Sequence, residues 1–209
     1  MEIRYKDSHI VVCIKPSGVL SARDSSGAKN MTDLLTKELE VKEVYPIHRL
    51  DREVSGVMVY ALSTLAAAKL SADASNKDKF QKVYYAVVGG LLKEPQGVFE
   101  DLLFKDTKRS KSFVVNKERK GVKKAKLEYE LLESFDDKSL VKVILHTGRT
   151  HQIRVQFASR KLPLIGDRKY GGAKSEKAIA LRSVSLSFEH PITKEKLFFE
   201  QIPSISEMI

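Results

Sequence analysis

An α+β fold, with a mixed or antiparallel sheet, is what this sequence predicts. Strand-like segments outnumber helix-like ones and are spread over all 209 residues. Several of them alternate apolar and polar residues with the period of two that turns one face of a strand inward. No internal repeat, low-complexity tract or linker divides the chain. The expectation is one domain over residues 1–209, of the class in which strands and helices share a core without strict alternation.

The elements follow in order. Residues 9–14 (His-Ile-Val-Val-Cys-Ile) read as a buried strand, ended by Lys15-Pro16-Ser17-Gly18 because Pro and Gly break ladders and favour turns. Residues 21–30 are small and polar, a loop. Residues 31–41 place Leu34, Leu35 and Leu39 on one helical face, with Thr32 as the expected N-cap. Residues 57–62 form an apolar, β-prone run, and residues 64–74, rich in Ala and Leu, have helical propensity. Residues 83–88 read as a strand. Residues 125–133 alternate in part and residues 140–145 alternate well. Residues 153–159 read as helix. Residues 178–188 set Leu181, Val184, Leu186 and Phe188 between polar residues, a strand closed by His190-Pro191, and Phe198-Phe199 belong to a last strand.

Composition narrows the function. Hydrophobic residues make up 42% of the chain and charged residues 31%, a folding composition with a real core. The net charge is +10, which points to a polyanion, nucleic acid ahead of an anionic membrane surface. The single cysteine, Cys13, lies among Val11, Val12 and Ile14 and reads as a small core residue. One cysteine cannot form an internal disulfide, which suits a reducing compartment, and it excludes Cys-based zinc clusters and the zinc deaminase signature. No apolar run approaches the roughly 18 residues that span a bilayer, and the first residues carry no signal-peptide core. A cytoplasmic protein with no membrane partner is expected.

The charge is concentrated. Residues 105–126 hold ten basic residues (Lys105, Lys108, Arg109, Lys111, Lys117, Arg119, Lys120, Lys123, Lys124 and Lys126) against Asp106 and Glu118, a net of +8 in a chain of +10. A basic hairpin or loop that grips phosphates explains this concentration better than a solvated turn does.

Three segments carry chemistry. In His48-Arg49-Leu50-Asp51-Arg52-Glu53-Val54-Ser55-Gly56, a carboxylate stands among guanidinium groups just before a buried strand. An adjacent cation favours the ionised form, and such a carboxylate can serve as nucleophile or base; a surface ion-pair cluster is the plain alternative. In Lys82-Val83-Tyr84-Tyr85-Ala86-Val87-Val88-Gly89-Gly90, alternation puts Tyr84 and Ala86 on one face. A strand tyrosine is core in most proteins, but it also offers a flat face to a base and a hydroxyl to a proton. In His146-Thr147-Gly148-Arg149-Thr150-His151-Gln152-Ile153-Arg154-Val155, two Arg, two His and a Gln crowd behind a strand, too dense a polar patch for packing alone.

These segments resemble the motifs of the RluA-type pseudouridine synthase family. Residues 48–56 resemble its His-Arg-Leu-Asp motif ending in Ser-Gly, residues 82–90 its Lys-x-Tyr-x-Ala segment, and residues 148–155 its Gly-Arg-Thr-His-Gln-Ile-Arg segment. Gly166-Asp167-Arg168-Lys169-Tyr170-Gly171 resembles its Gly-Asp-x-x-Tyr-Gly. Lys15-Pro16-Ser17-Gly18 and Leu186-Ser187-Phe188-Glu189-His190-Pro191 agree at the flanks, so the match runs in order from about residue 7 to residue 200. The resemblance implies a pseudouridine synthase-like catalytic domain with flanking helices and an active cleft across a mixed, largely antiparallel sheet. It also implies isomerisation of a flipped-out uridine in rRNA or tRNA without metal, nucleotide or other cofactor.

Asp51 becomes the catalytic carboxylate in that reading, with Arg154 pairing with it and Tyr84 stacking on the target base and assisting proton transfer. Arg49 would help open the RNA and replace the flipped base, and His48, Arg149, His151 and Gln152 complete the RNA-facing set. Lys108, Arg109, Lys111, Lys117, Arg119, Lys120, Lys123 and Lys124 would hold phosphates. The partner implied is an RNA stem-loop bound by a monomer, and the family's optional N-terminal S4 domain is expected to be absent, because Lys15-Pro16 already lies within the catalytic fold.

Three positions depart from the family pattern: Val54 for a usual Thr, Gln156 for a common His, and Leu127 for a frequent Thr. None belongs to the implied chemistry. A non-catalytic RNA-binding or ribosome-assembly protein on the same fold is the chief alternative, since fold alone does not prove activity. His151-x-x-Arg154 followed by Tyr170 is similar to the residue set of a tyrosine recombinase, but that fold is mainly helical. A hydrolase using Asp51 and Glu53 lacks a Trp platform for a sugar. A metal site at His48, Asp51 and His151 would be opposed by Arg49, Arg52 and Arg154.

Overall fold

The computed structural model describes residues 1–74, 76, 78–175 and 178–209. Its elements in chain order are β1 (Glu2–Lys6), β2 (Ile10–Lys15), α1 (Met31–Leu39), β3 (Tyr45–Pro46), β4 (Ser55–Ala61), α2 (Thr64–Asp73) and β5 (Phe80–Gly89). Then come β6 (Gln96–Asp106), β7 (Lys111–Val115), β8 (Val122–Phe135), β9 (Lys138–Leu145), α3 (Gln152–Ala158), β10 (Leu181–Glu189), β11 (Lys196–Glu200) and α4 (Ile205–Met208). They pack as two compact units, Met1–Lys82 with Ser183–Ile202, and Val83–Arg182 with Pro203–Ile209. The α+β class with a mostly antiparallel sheet holds in both. Among the described residues, no helix is long and apolar enough to cross a membrane.

In the first unit the strand order is β1-β2-β4-β10, with β3 paired to β4 and β11 to β10. The β2–β4 ladder is antiparallel and runs from Ile10↔Ala61 to Lys15↔Gly56. Every residue of β4 is buried, so the strand is covered on both faces, which is why its sequence is a continuous apolar run rather than an alternation. Ala66 and Leu70 of α2 pack on a core of Ile10, Val12, Val57, Val59, Phe80, Leu186 and Phe188, in which Phe80 and Phe188 stack at 5.5 Å. Gly56 is indispensable to this packing. Its φ is +127°, and a methyl group there would lie 2.1 Å from the Ser183 carbonyl oxygen, so β4 and β10 approach only because residue 56 has no side chain.

The N-cap of α1 is Asn30, not Thr32. The Asn30 carboxamide oxygen accepts from the Asp33 N–H at 2.9 Å, its NH2 donates to the Asp33 carboxylate at 2.8 Å, and the Thr32 hydroxyl only donates to Asn30. The helix closes at Glu40, in the left-handed region, rather than reaching Val41. At α2, Ser63 caps by accepting from the Ala66 N–H.

In the second unit the order is β5-β9-β8-β6-β7, all antiparallel. Strands β6 and β7 are additions to the elements expected from sequence, because β6 buries only Phe99 and Leu103 of its eleven residues and so shows no alternation. The segment from 105 to 126 thus runs from the end of β6 through its hairpin partner β7 and a crossover connection to the start of β8, which pairs with the other edge of β6. Helix α3 lies against this sheet. Phe157 meets Phe99 and Tyr129 edge-on at 5.0 and 5.9 Å, and Val155 joins Leu103 and Ala125. Six of its seven residues are buried, among them Gln152, Arg154 and Gln156, so each polar side chain needs partners inside the protein.

Candidate active site

In the first unit the loop between β3 and β4 carries Asp51, and it is pinned at almost every residue. Leu50 is buried, its N–H donates to Ser21 Oγ at 2.9 Å, and its carbonyl accepts from the same hydroxyl at 2.8 Å. The Asp51 carbonyl accepts from the Val54 N–H at 3.1 Å, closing a turn that leaves the Asp51 side chain half-buried and Arg49 exposed. The Arg52 carbonyl accepts from the Gly18 N–H, the Arg52 guanidinium donates back to the Gly18 carbonyl at 3.0 Å, and Ser17 Oγ donates to the Glu53 carbonyl at 2.7 Å.

Beneath this loop lies the fully buried Lys15. Its Nζ donates to three carbonyls, those of Pro16 at 3.0 Å, Val19 at 2.6 Å and Arg52 at 3.1 Å. Burial lowers its pKa to about 8, against the pull of Glu53 and Asp51. In the sequence Lys15 reads as the start of a turn within a family-like flank; its ammonium ties that turn to the loop of Asp51.

His48 precedes the loop. Its Nε2 accepts from the Val59 N–H at 3.3 Å and its ring meets Phe80 edge-on at 5.6 Å. Burial, and then the Lys82 ammonium, hold its pKa down to about 3, so the ring is neutral. Lys82 itself donates to the Ala74 carbonyl at 2.8 Å, capping the end of α2. His48 therefore serves the β4 backbone in this structure, although the family resemblance places it among the RNA contacts.

In the second unit Tyr84 is 5% exposed on β5, opposite Val143 of β9. Arg154 lies on α3 and is as deeply buried. Its Nε and Nη2 donate to the two carboxylate oxygens of Asp167 at 2.7 and 2.8 Å, the side-on bidentate geometry of an arginine fork. Tyr170 lies under the guanidinium, 5.4 Å from ring centroid to carbon. The Tyr170 hydroxyl accepts from the Ser112 N–H at 2.8 Å and lies 3.0 Å from Nδ1 of His151. His151 itself begins α3 in the left-handed region, at φ 54°.

Gln152 is spent within the protein. Its Oε1 accepts from Thr147 Oγ1 at 2.7 Å and from the Arg149 N–H at 3.0 Å, and its Nε2 donates to the Lys126 carbonyl at 3.1 Å. It shapes the turn that carries Arg149, whose Nε donates to the Lys124 carbonyl. The departures from the family pattern are also interior: Val54, Leu127 and Gln156 are buried, and Gln156 Nε2 donates to Asp101 at 2.7 Å.

The basic segment carries two turns, separated by β7. Lys108 and Arg109 lie in the turn after β6, Lys117, Arg119 and Lys120 in the turn before β8, and Lys123 and Lys124 on β8, all exposed. Lys111 is half-buried, its Nζ 4.8 Å from the Tyr170 ring. Arg119 stacks over Phe104 at 4.8 Å, beside an open groove of about 470 Å³ lined by Leu102, Glu118, Val122 and Lys124.

Comparison with known proteins gives one answer. The family model for RNA pseudouridylate synthase matches residues 9–159. The tRNA pseudouridine synthase C of Haemophilus influenzae is 34% identical, over 94% of this chain and 90% of its own length. The dual-specificity RNA pseudouridine synthase RluA of Pasteurella multocida is 32% identical over 98% and 94%. The ribosomal large subunit pseudouridine synthase D of Borreliella burgdorferi is 31% identical over 96% of this chain, which spans 65% of that protein. Among solved structures, human RNA pseudouridylate synthase domain containing 4 superposes with a TM-score of 0.80 over 98% of this chain and 89% of its own, at 22% identity. The chain belongs to the RNA pseudouridylate synthase family.

Proposed function

We propose that this enzyme converts specific uridines of structured RNA to pseudouridine, with Asp51 as its catalytic carboxylate. The reaction breaks the N1–C1′ bond of a uridine, turns the base, and joins C5 to C1′ while the C5 proton is lost and N1 gains one. No redox change or net group transfer occurs, so the chemistry asks for no cofactor. Asp51 attacks a carbon or removes a ribose proton. What supports the assignment is that the family match over residues 9–159 includes Asp51, Tyr84 and Arg154, each within its motif.

The remaining residues act around that step. Arg154 is the guanidinium that acts on the Asp51 carboxylate. Tyr84 stacks on the base, which contributes about 1–3 kcal/mol and helps offset the few kcal/mol that extrusion costs. Arg49 fills the place the base leaves, and Arg149 and His151 face the RNA. His48 and Gln152 hold the turns that present these residues. Lys108, Arg109, Lys111, Lys117, Arg119, Lys120, Lys123 and Lys124 grip phosphates. The protein acts in the cytoplasm, as a monomer, on a stem-loop. Relatives named for transfer RNA and for ribosomal RNA match to similar degrees, and both are retained as substrate classes.

The test is to incubate the protein with unmodified tRNA and rRNA transcripts and map pseudouridines by adduct-induced reverse-transcription stops. One or a few stem-loop uridines in one class should convert. No conversion in either class would overturn the reading.

A further inference from the structure

The residues numbered 166–171 have no role in the function proposed above, yet they build a receptor for one guanidinium. Gly166 and Gly171 are both at positive φ, and the turn is closed by the Gly172 N–H donating to the Asp167 carbonyl at 2.9 Å. A methyl group on Gly172 would lie 1.9 Å from the Leu164 carbonyl oxygen, so the turn is compact by necessity. Within it, Asp167 Oδ1 accepts from the N–H groups of Lys169 and Tyr170 at 3.2 and 3.3 Å, which fixes the carboxylate before it meets any partner. Asp167 is 1% exposed and Arg154 5%.

We infer that Asp167 is the positioning residue for Arg154, and that Tyr170 is the floor on which the guanidinium lies. Asp167 takes the side-on edge of the guanidinium, Nε and Nη2, and the Tyr170 ring takes one face. A guanidinium presents its donors in a fixed fork, so holding one edge and one face sets the direction of Nη1. The Tyr170 ring is in turn fixed through its hydroxyl by the Ser112 N–H, and Ser112 Oγ donates to the Thr150 carbonyl at 2.7 Å. The start of α3 and the 166–171 turn are thereby locked to each other. Asp167 touches no RNA in this account; it acts only through Arg154. The inference rests on the assignment of Arg154 to the catalytic group.

Asp167→Asn keeps the shape but offers one acceptor where two N–H groups point, so the guanidinium must turn. Single-turnover kinetics on folded protein should show the maximal rate falling about 100-fold, the scale on which a misplacement near 1 Å acts. The RNA concentration at half-maximal rate should stay within about twofold. Because Asp167 acts through Arg154, adding Asp167→Asn to Arg154→Lys should lower the rate little beyond Arg154→Lys alone. Asp167→Glu keeps the buried charge and displaces the carboxylate; it should show the same split and stands in should the Asn variant not fold. A rate within about twofold of wild type per folded molecule, or full additivity with Arg154→Lys, would overturn the inference. An inactive wild type, or an Asp51→Asn variant as active as wild type, would instead overturn the reading beneath it.

Discussion

The Nζ of Lys15 donates to the carbonyl oxygen of Arg52 at 3.1 Å, across 37 positions of sequence. That bond, with those to Pro16 and Val19, ties the turn after β2 to the loop that carries Asp51. Lys15→Met keeps the length of the side chain and leaves these carbonyls without the donor. The expected loss is about 2–3 kcal/mol in urea melts, because a buried acceptor left unsatisfied costs its desolvation. Activity per folded molecule should fall as well, since the loop of Asp51 loses its anchor. An unchanged melt would show that these carbonyls do not depend on Lys15.

His48 makes stability fall in mild acid. Its folded pKa is about 3 against an ordinary 6.5, so between these values the unfolded chain binds the extra proton. The contribution is complete above pH 6.5 and is lost progressively as pH falls towards 3, on the order of a few kcal/mol in total. Thermal melts between pH 7 and 4.5 should therefore show a steeper fall of Tm for wild type than for His48→Gln, which keeps an acceptor near the Val59 N–H but does not titrate. Parallel curves would remove His48 as the cause.

The basic turns should govern affinity rather than chemistry. Lys117, Lys120 and Lys123 are exposed, and replacing all three with Ala should leave the fold intact. For every lysine that neutralises a phosphate, its removal should flatten the log–log dependence of RNA binding on salt by about 0.7–0.9. The maximal rate at saturating RNA should stay within about twofold. An unchanged salt slope would take these residues out of the interface.

Much of the fold is legible in the residues, for reasons that also mark the limit. The strand near 57–62 announces itself as a continuous apolar run, the helix near 31 by its helical period and the helix near 64 by its Ala and Leu content. Strand β6 does not, since Phe99 and Leu103 are its only buried residues and stand four apart, a spacing that a helix shares. The cap of α1 lies two residues before the expected one because Asn30 and Thr32 are both cap formers, and only the backbone shows which one faces the Asp33 N–H.

In the site, the motif residues are legible as types, but their partners are not. Asp167 lies 13 positions from Arg154, and nothing in that spacing says that the turn at 166–171 returns its carboxylate to the guanidinium. The family resemblance, not their surroundings in the sequence, places His48 and Gln152 among the RNA contacts. Their placement, Gln152 buried and His48 half-buried with its ring turned to the backbone at Val59, is a property of packing that residue type does not carry.

The central claim is that the carboxylate of residue 51 carries the isomerisation. Tritium release from RNA labelled at uridine C5 measures it most directly, with wild type and Asp51→Asn compared at equal folded concentration. The account predicts release by wild type and none above background by Asp51→Asn, with RNA binding by the two proteins unchanged within about threefold. Equal release by both proteins would contradict it.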